Sequence, residues 1–156
     1  MENVAITEAK TDCEFGYARK LFEEYAAELG VDLCFQNFEH ELENIRRIYS
    51  APKGCLLLAR RDSAMLGCVA FRPFDDVACE MKRLYVNPSA RGMDLGRRLT
   101  VELIRRASAA GYRKMLLDTL KSLEAAHSLY RSLGFREVKP YYTNPLDGVV
   151  YMELDL

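Results

Sequence analysis

Residues 80–98 read Glu80-Met81-Lys82-Arg83-Leu84-Tyr85-Val86-Asn87-Pro88-Ser89-Ala90-Arg91-Gly92-Met93-Asp94-Leu95-Gly96-Arg97-Arg98, and they decide the fold. The β-rich run Leu84-Tyr85-Val86 stops at Asn87-Pro88, because proline has no N–H to give to a ladder. A short loop carrying Arg91 and Gly92 follows, and a helix opens near Leu95-Gly96. A strand end, an arginine and a helix N-terminus bring unsatisfied N–H groups together with the positive end of a helix dipole, which is an anion site. A Walker loop is excluded, since Gly96 is followed by Arg97-Arg98 rather than by Lys with Ser or Thr. A dinucleotide fingerprint is excluded too, for want of three spaced glycines and a later acidic residue. Two readings stay open: a phosphorylated ligand on a different loop, or a plain strand–loop–helix connection with a solvent-facing arginine.

Working outward, Ala78–Val86 is the last of three consecutive strands, after Cys55–Arg60 and Met65–Phe71, with polar turns between them. Upstream, Val4–Ile6 reads as a short strand. Thr11 and Glu14 form a capping box for a helix whose apolar face runs from Phe15 to Leu29, with Gly30 as its stop. Asn37 is expected to cap a second helix bearing Phe38, Leu42, Ile45 and Tyr49. Downstream, Leu95, Leu99, Leu103 and Ala107 share a helix face, with Glu102 four residues from both Arg98 and Arg106. Met115–Thr119 is a buried-type strand, and the long crossover before it makes it a parallel neighbour of the strand ending at Val86. Ser122 is expected to cap a last helix stopped by Gly134, and Phe135–Val138 and Val149–Leu154 close the sheet. The order β-α-α-β-β-β-α-β-α-β-β implies an α/β (α+β) fold. Its one mixed, mostly antiparallel sheet has a central parallel pair and helices on both faces.

A chain of 156 residues with 49% hydrophobic and 29% charged residues fits one domain spanning 1–156. A net charge of −1 gives no global attraction to nucleic acid or an anionic membrane. Five scattered cysteines, Cys13, Cys34, Cys55, Cys68 and Cys79, contain no C-x-x-C pair. That argues for reduced thiols in a cytoplasmic protein rather than a disulfide frame or a metal site. No secretion signal or membrane span is visible.

Arg91-Gly92-Met93-Asp94-Leu95-Gly96 resembles the pyrophosphate loop, R-G-x-G-x-G or R-G-x-G-x-A, of the GNAT superfamily of acyl-CoA-dependent N-acetyltransferases. A second stretch, Ala126-His127-Ser128-Leu129-Tyr130-Arg131-Ser132-Leu133-Gly134-Phe135, resembles that family's A-x-x-L-Y-x-x-x-G-F. The element order is similar across essentially the whole chain. Two positions depart from the pattern. Asp94 stands where the family usually has glycine, and Leu123 where many members carry an asparagine for the pantetheine arm.

The resemblance implies acetyl-CoA as acyl donor, no metal, and an amine acceptor attacking directly in a ternary complex. The pantetheine arm is expected along Leu84, Tyr85 and Val86, with a backbone N–H near Val86 polarising the thioester carbonyl. The pyrophosphate is expected on the loop from Gly92 through Met93, Asp94, Leu95 and Gly96 to Arg97, with Arg91 or Arg97 supplying charge. Tyr130 is the family-matched general acid; as a residue it reads equally as a core aromatic beside Ala126, Leu129 and Leu133. Glu80 is the candidate base, acting through water, or else a strand carboxylate paired with Lys82 or Arg83. Tyr141, Tyr142 and Asn144, with Phe35, Gln36 and Asn37, suit an acceptor pocket as well as loop packing. His40 and His127 read as helix surface residues. A catalytically degenerate acyl-CoA-binding regulatory protein is the competing class, motivated by Asp94 and Leu123. Homodimerisation is an expectation of the resemblance alone.

Overall fold

The computed structural model describes residues 3–156, with Phe35 described by its backbone alone. Its elements are β1 (Ala5–Glu8), α1 (Asp12–Leu29), α2 (Phe38–Glu43), α3 (Ile45–Ile48), β2 (Cys55–Arg61), β3 (Ala64–Pro73), β4 (Ala78–Val86), α4 (Leu95–Ala109), β5 (Lys114–Leu120), α5 (Glu124–Ser132), β6 (Arg136–Val138) and β7 (Val149–Asp155). Seven strands form one sheet in the order β1-β2-β3-β4-β5-β7-β6. Every neighbouring pair is antiparallel except β4 with β5. No described helix is long and apolar enough to cross a membrane.

The sheet buries both faces. One carries Leu57, Val69, Met115 and Leu117 against Leu99 and Leu103 of α4 and Tyr130 of α5. The other carries Leu56, Leu58, Cys68 and Ala70 against Phe15 and Phe22 of α1 and Ile45 and Tyr49 around α3. Two-sided burial explains why β2 reads as a continuous apolar run rather than an alternating one. Truncating a fully buried leucine such as Leu103 costs about 2–5 kcal/mol in such cores.

Local chemistry sets the helix ends. Thr11 and Glu14 form the expected capping box on α1, and Gly30 ends it in the left-handed region. Four expectations are corrected. Asn37 precedes α2 without a side-chain cap bond, and the expected second helix breaks at Asn44 into α2 and α3. Ser122 does not cap α5, whose N-cap is Leu123. Glu102 holds Arg105 and Arg106, while Arg98 donates to the Val4 carbonyl at 2.8 Å.

The feature that shapes the site is a bulge in β4. Ala70 pairs with Lys82 and Cys68 with Tyr85, so one extra residue sits on β4. Arg83 lies in this interval in the left-handed region, at φ 63°. Such a backbone costs about 1–3 kcal/mol in a non-glycine residue. The side chain supplies the compensation. Arg83 donates twice to Glu41, at 3.0 and 2.7 Å, and its guanidinium lies 5.8 Å from the Tyr25 ring centre and 5.1 Å from that of Phe38. Close approach next to the bulge needs a glycine: a Cβ on Gly67 would stand 2.6 Å from the Tyr85 carbonyl oxygen.

Candidate active site

β4 and β5 pair only at Ala78 with Lys114, Cys79 with Met115 and Glu80 with Leu116. β5 runs on to Leu120, paired on its other side with β7, so the two parallel strands part after Glu80. Between them lies a cleft enclosing ≈ 80 Å³, walled by Met81–Leu84 of β4, Leu117–Leu120 of β5, Tyr25 of α1 and Tyr130 of α5. Asn87 N–H bonds the Leu66 carbonyl on β3 at 2.7 Å. By the alternation of an antiparallel ladder, the N–H and C=O of Leu84 and Val86 therefore point the other way, toward the opening. The Val86 carbonyl takes Arg91 Nε at 3.2 Å. Tyr85 faces α1 instead, edge-on to Tyr25 at 6.4 Å.

At the open end of the cleft α4 begins. Its N-cap is Asp94, at φ 59°, with no side-chain cap bond. This accounts for aspartate at a glycine position, because Asp is among the few L-residues that visit the left-handed region readily. Its carboxylate is 72% exposed and stands 3.9 Å from Arg97 Nε. The first helix-closing bond runs from Arg98 N–H to the Asp94 carbonyl, so the N–H groups of Leu95, Gly96 and Arg97 are left for a ligand. Arg91 pairs with Glu28 of α1, and Arg97 donates to the Ser132 hydroxyl at 2.9 Å. Gly92, at φ 90°, and Met93 complete the turn. A phosphorylated ligand fits this donor set.

Tyr130, on α5, is 6% exposed and packs against Phe135 with ring centres 5.7 Å apart. Burial, aided by Tyr25 and Asp118, pushes its phenol well above the ordinary range, so it holds its proton at neutral pH. Leu123 lines the same cleft.

Across β4 a second, open pocket of ≈ 670 Å³ is lined by Arg72 of β3, Glu80 and Lys82 of β4, and Tyr141 and Tyr142 of the β6–β7 loop. The alternative read from the sequence, a strand carboxylate paired with Lys82 or Arg83, is not what Glu80 forms. It accepts from Arg72 Nε at 3.1 Å and from the Tyr141 hydroxyl at 2.7 Å. Tyr142 donates to Asp118 of β5 and accepts from Gln36 Nε2 at 3.0 Å and Asn144 Nδ2 at 3.1 Å. The three expected acceptor-side residues thus reach the sheet at two points, Tyr141 on Glu80 and Tyr142 with Asn144 on Asp118, with the two tyrosine rings 5.4 Å apart. The Phe35 side chain lies outside the described residues. Burial and the nearby carboxylates hold the Tyr141 and Tyr142 phenols protonated.

Four residues here carried no sequence signal. Arg72 and Asp118 are isolated charges in apolar strands, Lys82 is one of three charged residues in β4 and reads only as an ion-pair partner, and Glu41 sits in an ordinary charged helix. Glu41 is only 2% exposed. Burial pushes its carboxyl upward, but Arg83, Lys82 and Tyr49 outweigh that and hold it below the usual carboxylate range. Lys82, 5% exposed, is pushed down by burial and by Arg83, against the pull of Glu80 and Asp118.

This fold is shared by solved acetyltransferase structures. An acetyltransferase structure from Streptococcus agalactiae superposes with a TM-score of 0.81 at 20% identity, covering 100% of both chains. A GNAT family acetyltransferase from Elizabethkingia anophelis, solved with acetyl-CoA bound, gives 0.71 at 20% identity and 100% of both chains. At the sequence level, a model described as the acetyltransferase (GNAT) family matches residues 16–135. An uncharacterised N-acetyltransferase of Schizosaccharomyces pombe is 45% identical over 156 residues, 99% of this chain and 96% of its own. The chain belongs to the GNAT acetyltransferase family and is an acyltransferase.

Proposed function

We propose that the protein transfers an acetyl group from acetyl-CoA to a primary amine by direct attack in a ternary complex. The observation that carries this reading is the meeting of the two cavities: Gln36 and Lys82 line both. A donor entering along β4 and an acceptor entering past Tyr141 reach each other where the strands part. The chain of one relative solved with acetyl-CoA bound shares this fold from end to end.

In this reading the bare N–H groups of Leu95, Gly96 and Arg97 bind the pyrophosphate, reinforced by Arg91. The N–H of Val86 points where it polarises the thioester carbonyl, the electrostatic contribution that is usually largest in acyl transfer. Tyr130 holds the proton that the departing sulfur needs, and its raised pKa keeps that proton in place until charge develops. Glu80, kept in position by Arg72 and Tyr141, takes the proton released by the attacking nitrogen, directly or through water. The N–C bond forms, the C–S bond breaks, and one proton passes from nitrogen to base while another passes from Tyr130 to sulfur. A non-catalytic acyl-CoA binder was motivated by Asp94 and Leu123. With the Asp94 carboxylate largely exposed and its charge offset by Arg97, the first of those motives loses force. The free thiols Cys55 and Cys79, pushed up to about 12 by burial, suit a reducing, cytoplasmic setting.

The test is thiol release from acetyl-CoA across a panel of amines, together with thermal unfolding at rising acetyl-CoA. At 100 times its dissociation constant the donor adds about 2.7 kcal/mol of stability, a rise of roughly 5 °C or more in Tm. Absence of both the shift and any amine-dependent release overturns the proposal.

A further inference from the structure

The acceptor pocket holds two polar groups that its own fold leaves without partners. Lys82 is 5% exposed, and among the described residues its ammonium makes no ion pair or hydrogen bond. Its neighbours are otherwise engaged: Arg83 with Glu41, Glu80 with Arg72 and Tyr141. The second group is Gln36 Oε1, a buried acceptor with no hydrogen-bond donor among the described residues. Its Nε2 is fixed on Tyr142, whose hydroxyl already donates to Asp118. The amide is therefore oriented with its oxygen free.

Buried polar groups are expensive to leave unmatched. One unmatched cation and one unmatched hydrogen-bond acceptor describe a ligand bearing an anion and an N–H. Both groups line the donor cleft and the acceptor pocket together, so that ligand sits where transfer takes place. The charge around the pocket agrees. Arg72 is neutralised by Glu80, which leaves Lys82 and the exposed Arg47 against the single carboxylate of Asp118 on the cleft side, a net positive charge.

We propose that the acceptor is an amine that itself carries a carboxylate, an amino acid or close relative, with its carboxylate on Lys82 and its amine N–H on Gln36 Oε1. This deepens the transfer reading and rests on it. Lys82 then acts as a specificity residue rather than a base. Its charge, lowered in affinity for a proton by burial and by Arg83 and Arg72 against Glu80 and Asp118, is fully offset only when the carboxylate arrives. Arg47 adds long-range attraction for the same anion.

The experiment measures thiol release with free amino acids and with the same amino acids as carboxamides, for the wild-type chain and for Lys82→Met and Gln36→Leu. The acids are expected to exceed the amides in kcat/KM by about thirtyfold or more. Lys82→Met should erase that preference by raising KM for the acids far more than for the amides, and Lys82→Arg should retain most of it. Gln36→Leu should weaken acids and amides alike. Wild-type preference for amides, or equal use of both, overturns the assignment while the transfer reading stands. Equal loss of acids and amides in Lys82→Met overturns it as well, because the lysine would then serve the chemistry or the fold. No release with any amine, and no acetyl-CoA shift in Tm, overturns both readings.

Discussion

The cleft proposed for the donor and the pocket proposed for the acceptor lie on either side of β4 and share two residues, yet they are made of different material. The donor side is mostly backbone: the N–H groups of Leu84 and Val86, and those of Leu95 to Arg97 ahead of the first α4 bond. The acceptor side is mostly side chains, contributed by Gln36, Arg72, Glu80, Lys82 and Tyr141 from four separate parts of the chain. A backbone site tolerates substitution so long as the dihedral angles survive, as Asp94 illustrates at φ 59°. A side-chain site depends on each residue and on the elements that hold it. The bulge touches both, because Arg83 lines the first cavity and its neighbour Lys82 lines the two together.

The largest effect should come from breaking that shared piece. Arg83→Met leaves Glu41 charged, buried and unpaired, at an expected cost of about 3–5 kcal/mol, read by urea unfolding, with donor affinity lost as well. The wild-type pair also carries a pH signature. Glu41 has a folded pKa below its ordinary 4.5, so its contribution is complete above that value and is lost as pH falls through the lowered one. Stability of the wild type should drop below about pH 4.5, and that part of the drop should vanish in Arg83→Met. A variant within 1 kcal/mol of wild type would show that other contacts hold the bulge.

Tyr130→Phe comes next. Loss of the acid should lower kcat roughly 100-fold or more, while acetyl-CoA binding, followed by calorimetry, stays unchanged. Unchanged kcat would return Tyr130 to a packing role. Arg91→Ala probes the backbone side. It should weaken acetyl-CoA by about tenfold, since a charge-assisted contact contributes roughly 1.5 kcal/mol, and the remaining affinity should depend less on salt. A larger loss would mean that side chains, not N–H groups, dominate donor binding.

The smallest expected effect is that of Asp94→Gly. It removes a carboxylate from a helix N-terminus destined for an anion and relieves a left-handed aspartate. Acetyl-CoA binding should tighten by a few-fold at most, about 0.3–1 kcal/mol. Weaker binding would sharpen the comparison in the opposite sense, by giving the Asp94 side chain a role on the donor side.

How far the chain could be read in advance follows the same division. The capping box at Thr11 and Glu14, the apolar face of α4, the parallel β4–β5 pair and the loop at Arg91–Gly96 are encoded within a few residues each, by periodicity or by turn chemistry. Tyr130 was found through a local motif. The break at Asn44 and the failed cap at Ser122 were missed because packing of short helices on the sheet overrode local propensity. Arg72, Lys82, Asp118 and Glu41 were missed for a different reason. A lone polar residue in a strand or helix reads as a solvated one until the fold removes its water.

Sequence alone therefore determined the order of elements, the crossover that makes β4 and β5 parallel, and the place of the anion loop. These depend on interactions between residues close in the chain. The tertiary structure decided that Arg83 meets Glu41 forty-two positions away, that Tyr141 meets Glu80 across sixty-one, and that Lys82 and Gln36 Oε1 find no partner among the described residues. Burial and charge compensation are properties of the assembled interior, where the dielectric is low and each unpaired group is costly, so no local stretch of the chain records them.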